Sequence, residues 1–181
     1  MKPEKETPCM ARRDVLKRGL AVATIAAAGA IVTGGRCAFA GQETKGSPQR
    51  AVDHFMKSMN CSQAVLEVYG PALGLPAEAA RRVATGFAGG MGTGSECGAV
   101  TGALMVLGLK SGPDTDKTMR HVATFMQEFK KAHGATSCSR LLGVDMGTPE
   151  GVHQAVQQGL FTSACPRFVR TAAELAERLS V

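Results

Sequence analysis

Ser95-Glu96-Cys97-Gly98-Ala99-Val100-Thr101-Gly102-Ala103-Leu104-Met105-Val106-Leu107 is the stretch on which the reading of the chain turns. Val100, Ala103, Leu104 and Leu107 recur at three- and four-residue spacing, which marks one apolar helix face. Ser95 is placed to cap that helix, putting Cys97 in its first turn. Gly98 and Gly102, one turn apart, permit a neighbour to approach closely. A cysteine at a helix start meets unpaired N–H groups and the positive end of the macrodipole, and both favour a thiolate.

The same design repeats on either side. Ser47-Pro48 is a cap followed by proline at N1, and Ala51, Val52, Phe55, Met56 and Met59 share a face of the helix it opens. Asn60 begins a second helix with Cys61 at its first position, Gln63 completing a capping-box pattern and Gly70-Pro71 stopping it. Pro76 starts a third, with Ala79, Ala80, Val83 and Phe87 inward, before Gly89-Gly90. Beyond the quoted stretch, a long helix from about Asp114 to His133 turns Val122, Phe125, Met126 and Phe129 inward and stops at Gly134. Thr136 or Ser137 caps a short helix, with Cys138 in its first turn and Leu141 and Leu142 following. Thr148-Pro149 opens another carrying Val152, Ala155 and Val156, up to Gly159. Cys165-Pro166 puts cysteine at the cap and proline at N1 of the last helix, striped by Phe168, Val169, Ala172, Leu175, Ala176 and Leu179. No segment alternates like a strand. The expected fold is all-α, a compact single-domain bundle of about six to eight short helices.

Residues 1–40 read as an export leader. Arg12 and Arg13 precede Asp14-Val15-Leu16-Lys17, an alanine-rich apolar run extends from Leu20 to Val32, and Ala38-Phe39-Ala40 offers a small-x-small cleavage site. The pattern resembles a twin-arginine leader. The apolar run is about 13 residues, short of the roughly 20 needed to span a bilayer, so the mature domain is expected at 41–181, periplasmic and unanchored. The twin-arginine route carries folded proteins, which suits a cofactor installed before export. Zinc, disulfides or rapid folding suit it as well.

Seven of the 21 Lys and Arg and three of the 15 Asp and Glu precede Gly41, leaving residues 41–181 near +2. With basic residues only in pairs such as Arg81-Arg82 and Lys130-Lys131, and few aromatics, nucleic-acid binding is not expected. His54, His121, His133 and His153 are scattered without a ligand spacing, and His133 reads as a complement to a helix C-terminus. Met56, Met59, Met105 and Met126 read as core fillers rather than haem or copper ligands.

Setting Cys9 and Cys37 aside with the leader leaves Cys61, Cys97, Cys138 and Cys165, each at a predicted helix start. Each such end contributes roughly 0.3 to 1 kcal/mol, and up to about 2 when partly buried, toward the anion, so four converging ends are expected to lower thiol pKa values. The gaps of 36, 41 and 27 residues form no C-x-x-C, so any shared site must come from tertiary structure. The absence of C-x-x-C-H leaves no signature for c-type haem. An iron–sulfur cluster, a thiol–disulfide oxidoreductase, a structural zinc and two disulfides all remain open readings. Gly86, Gly89, Gly90, Gly92, Gly94 and Gly98 expose amides near Cys97, either as a nest for sulfide or as a turn that packs two helices. Gly90-x-Gly92-x-Gly94 lacks the dinucleotide-loop spacing.

Asn60-Cys61-Ser62-Gln63-Ala64-Val65, Cys97-Gly98-Ala99-Val100-Thr101-Gly102-Ala103, Cys138-Ser139-Arg140-Leu141-Leu142-Gly143 and Cys165 together resemble a family of small redox-active proteins defined by a C…CGAxxG…C…C pattern. The resemblance implies a helical redox domain with four functional cysteines and an iron–sulfur site. On that reading Cys61, Cys97, Cys138 and Cys165 are the metal ligands, with Gly98 beside them in the motif. The protein would pass single electrons to a redox partner protein. A related domain occurs in split-Soret cytochromes, whose haem function does not carry over to a chain without the attachment motif. Gly98 and Gly102 would serve packing within the chain or in a homodimer.

Overall fold

A computed structural model describes residues 47–179. The expected leader and its cleavage site lie outside the described residues. Helix α1 is Pro48–Ser58, α2 Cys61–Tyr69, α3 Ala77–Ala84, α4 Gly98–Ser111, α5 Thr115–His133, α6 Cys138–Leu142, α7 Pro149–Gln157, α8 Leu160–Ser163 and α9 Cys165–Leu179. Among the described residues the fold is all-α, as expected, and the extended pairing consists of one isolated antiparallel bridge between Glu96 and Ser137. No described helix is long and apolar enough to cross a membrane.

The caps follow the local chemistry. Ser47 Oγ accepts from Arg50 N at 3.2 Å, Asn60 Oδ1 from Gln63 N at 3.0 Å, Asp114 Oδ1 from Lys117 N at 2.9 Å and Thr148 Oγ1 from Gly151 N at 3.1 Å. Gly134, left-handed at φ 79°, ends α5 with its N–H on the Lys130 carbonyl. The capping box at Asn60 is only half made. Gln63 does not reach back but donates to Thr85 Oγ1 at 2.8 Å, so its side chain ties α2 to the end of α3.

The core lies between α2, α4 and α9. Helix α2 is buried along almost its whole length, and α4 buries Gly98, Ala99, Val100, Gly102, Ala103, Val106 and Leu107. Helix α4 lies on α2, and α9 packs its stripe of Phe168, Val169, Ala172 and Ala176 against α1, α4 and α5. The two helices α2 and α4 touch because α4 presents glycines to the start of α2. A Cβ on Gly102 would lie 2.8 Å from the Ser62 carbonyl oxygen, and one on Gly98 would run into Cys61 Sγ. Both glycines are thus used within the chain, and a homodimer would have to form through another surface.

Several apolar residues do not point where periodicity places them. Met56 and Met59 are 44% and 48% exposed, and Val83, Val152 and Val156 are also exposed. Met105 and Met126 do pack against the core. Helix α5 is the longest of the described helices, yet it buries only Phe125 and Phe129. Each large apolar side chain so buried contributes about 1.5–3 kcal/mol.

Candidate functional site

Four helix starts meet at one cavity. Cys61 is the first residue of α2, Cys138 the first of α6 and Cys165 the first of α9. Cys97 is the N-cap of α4 itself, at φ −56° and ψ 135°, and makes no side-chain cap bond. Ser95 therefore does not cap α4; its Oγ pairs with Thr93 Oγ1 at 2.9 Å. Nor is Cys165 a cap. Its predecessor Ala164 is the C-cap of α8, in helical conformation, donating to the Leu160 carbonyl at 2.9 Å.

The bridge between Glu96 and Ser137 draws two of these starts together. Cys97 N–H donates to the Thr136 carbonyl at 2.9 Å, and Cys138 N–H donates to the Ser95 carbonyl at 2.7 Å. Thr136 Oγ1 donates to Glu96 Oε1 at 3.2 Å beside them. On the other side of Cys97, Gly98 leaves room for the Cys61 sulfur against the α4 backbone.

Cys61, Cys97, Cys138 and Cys165 all line a cavity of about 40 Å³, walled by Phe55, Leu141, Leu142, Phe161, Phe168, Met59 and Gly89. No charged side chain and no histidine lines it. All four cysteines are free thiols; three are buried and Cys165 is half-buried. Periodicity places Phe55 and Phe168 on inward faces and Leu141 and Leu142 behind Cys138; Phe161, on α8, carries no such signal, and Met59 lines the cavity instead of filling the core. Met59 ends α1 in a left-handed conformation, φ 54°, which favours glycine.

Convergence does not lower all four pKa values as expected. Cys61 alone is lowered, from 9.0 to about 7, chiefly by a hydrogen bond from the Cys97 thiol, with further help from the amides of Gly89, Cys61 and Ser62 against the cost of burial. Cys97 is raised well above its ordinary value by that same bond, then by burial and the Cys61 charge, although the Ala99 amide opposes the rise. Burial, followed by the Cys61 charge, lifts Cys138 to about 11. Burial and the charges of Cys61 and Cys138 lift Cys165 to about 12. A helix end stabilises an anion by up to about 2 kcal/mol, too little to offset removing several thiolates from water together. Among themselves the four cysteines therefore favour one thiolate and three thiols.

The glycine-rich run divides between its two readings. Gly89, Gly90, Met91 and Gly92 are successive left-handed residues, φ 61°, 65°, 59° and 68°, forming a turn that costs an L-residue about 1–2 kcal/mol. Gly89 opens the turn and lines the cavity, where its amide helps to lower the Cys61 pKa. Gly92 faces a separate surface groove, and Gly94 allows close contact with Ser139. Of the run, Gly89 and Gly98 serve the sulfurs.

His133 is also corrected. Its ring lies 4.8 Å from Phe129 and 5.0 Å from Phe168, behind the cavity wall. Burial, then repulsion by Arg167, lowers its pKa, so it is neutral near pH 7 and cannot complement the helix end as a cation.

Among the described residues no three His, Cys, Asp or Glu side chains are arranged to hold a single metal ion. A closed tetrahedral zinc site, with sulfurs about 2.3 Å from one centre, is not built. What is built is an all-thiol donor set around one largely apolar cavity, with amides that favour the Cys61 and Cys97 anions. That set fits an iron–sulfur cluster, which is held by cysteine thiolates and tuned by N–H donors.

Fold and site together define a class: a small all-α protein with four cysteines at one cavity. The chain belongs to the family described as Putative redox-active protein (C_GCAxxG_C_C), whose model matches residues 59–179. No curated protein and no solved structure matches it.

Proposed function

We propose that Cys61, Cys97, Cys138 and Cys165 hold an iron–sulfur cluster, and that the protein, exported by the twin-arginine route, exchanges single electrons with a redox partner in the periplasm. The observation that carries this reading is that all four cysteines of the described chain line one cavity. A bound cluster supplies a one-electron couple whose potential responds to burial and to N–H donors. The chain provides both. The amides of Gly89 and Ser62 favour the Cys61 anion and that of Ala99 the Cys97 anion, while Phe55, Phe161 and Phe168 wall the cavity. Ligation requires that the thiol protons leave to solvent, and Cys61 is the first to lose its own. Anaerobic purification followed by iron and acid-labile sulfide analysis tests the reading: the two should be present together, whereas an iron-free, colourless protein would refute it.

One observation favours a second reading. Cys61 and Cys97 line the same cavity, and the Cys61 sulfur is near its thiolate form at neutral pH, which suits thiol–disulfide exchange. The Cys61 thiolate would attack a partner's disulfide and expel one partner thiolate. The Cys97 thiolate would then displace the second, leaving a Cys61–Cys97 disulfide and moving two electrons to the partner. The burial of both sulfurs obstructs such an attack but not outer-sphere transfer, which ranks this reading second. A mass lower by two hydrogens in iron-free protein would support it.

A further inference from the structure

The end of α5 and the start of α9 are joined by packed rings, and the junction adjoins the sulfur cavity. His133, in the last turn of α5, lies 4.8 Å from Phe129 and 5.0 Å, edge on, from Phe168. Phe168 is a wall of the cavity and His133 is half-buried, so two rings in contact lead from the sulfurs to the surface.

That surface is basic. Lys130 and Lys131 share the last turn with His133, and Arg167 immediately precedes Phe168 in the first turn of α9; all three are exposed. None of the three makes an ion pair among the described residues. Carboxylates that could neutralise them are engaged or absent. Glu128 pairs with Arg178, Glu96 accepts from Thr136 with one oxygen and buries the other, and residues 129–144 and 151–173 contain no Asp or Glu. The dipole of α5 accounts for its two lysines, but Arg167 stands at the positive end of α9, where a cation is disfavoured by roughly 0.3–1 kcal/mol. Local stability does not account for Arg167; an anionic surface docked beside it does.

We propose that Lys130, Lys131 and Arg167, around the edge of His133, form the docking face for an acidic protein that exchanges electrons with the sulfur site. The proposal rests on the cluster reading and adds the chemistry of the partner. Opposite charge steers the two proteins together and fixes their register, and Phe168 and His133 bridge the docked surface to the cavity. One electron leaves the reduced cluster for the partner's oxidised centre, and no bond forms or breaks. Three cations are few for nucleic acid, whose binders commonly make about 6–10 phosphate contacts.

Two anionic probes test the face. Hexacyanochromate(III), a paramagnetic trianion, is added to the reduced, iron-free, full-length chain while amide signals are followed by NMR. Residues 130–134, Arg167 and Phe168 should broaden most, and the combined Lys130→Gln, Lys131→Gln and Arg167→Gln variant should lose at least about four-fifths of that effect. Lys57→Gln and Lys110→Gln, at other exposed lysines, should leave it intact. In cluster-loaded protein, hexacyanoferrate(III) takes one electron from the reduced cluster and becomes hexacyanoferrate(II). The triple variant should slow that step about tenfold at about 0.01 M ionic strength, a difference that vanishes by about 1 M. Broadening spread evenly over the surface or strongest around Met59, or an oxidation rate unchanged in the variant, would overturn the proposal. So would binding of duplex DNA or phosphatidylserine vesicles through these residues at about 0.15 M ionic strength. If iron and sulfide analysis refutes the cluster, mapping of the iron-free chain still decides whether this face takes an anionic partner; a cluster present without the expected mapping overturns the docking face alone.

Discussion

Gly98 has no side chain because the Cys61 sulfur stands where one would go. A methyl group there would push that sulfur off the α4 backbone and also lie 2.9 Å from the Phe87 carbonyl oxygen. Gly98→Ala is therefore expected to destabilise the fold by about 1–3 kcal/mol and to reduce iron loading even at temperatures where the protein stays folded. Denaturant unfolding beside metal analysis checks both. Cys97→Ala should act on its neighbour. Without the Cys97 thiol as donor, Cys61 in iron-free protein should titrate above its value of about 7, as read from thiolate ultraviolet absorbance against pH. The motif glycine was visible in the sequence, but its task was not: which sulfur it faces depends on α2, brought in from far along the chain.

At the scale of elements, the recurrent device is a helix whose first turn holds a cysteine. Asn60 shows how such a start is secured. Its Oδ1 accepts from Gln63 N at 3.0 Å and its Nδ2 donates to the Thr85 carbonyl at 3.2 Å. Asn60→Ala should lower stability by about 1 kcal/mol, measurable by urea unfolding, with Cys61 ligation weakened because its helix start is loosened. Helix starts at Ser47, Asn60, Asp114 and Thr148 were legible because each cap bond is local in sequence. Ser95 misled for a physical reason: the bridge from Glu96 to Ser137 takes up its carbonyl, and Cys97 becomes the cap instead. Helix α8, a single turn bearing Phe161, has too few residues for a periodic signal. The exposure of Met59, Val83, Val152 and Val156 was illegible because periodicity finds an apolar face without saying what covers it.

Across the whole molecule, burial competes with charge, and stability should follow pH accordingly. His133 resists protonation inside the Phe129–Phe168 sandwich, so its folded pKa lies below 6.5 while the unfolded chain takes up the proton at 6.5. Stability should therefore fall as pH drops through that region, and His133→Leu should flatten the acid limb in urea titrations. The reduced, iron-free thiols act at higher pH. Cys61, lowered to about 7, adds stability between pH 7 and 9.0, whereas Cys138 and Cys165, raised to about 11 and 12, remove it as pH rises above 9.0. Metal ligation at these sulfurs should abolish that alkaline loss.

The claim on which the account rests is that the four sulfurs act as one donor set. Iron content per folded chain, measured after anaerobic purification for each single cysteine-to-serine variant, tests it most directly. The account predicts that loading collapses for Cys61, Cys97, Cys138 and Cys165 alike and is unchanged for Cys9 and Cys37. Iron retained in full by any one of the first four, or lost equally from all six, would contradict it.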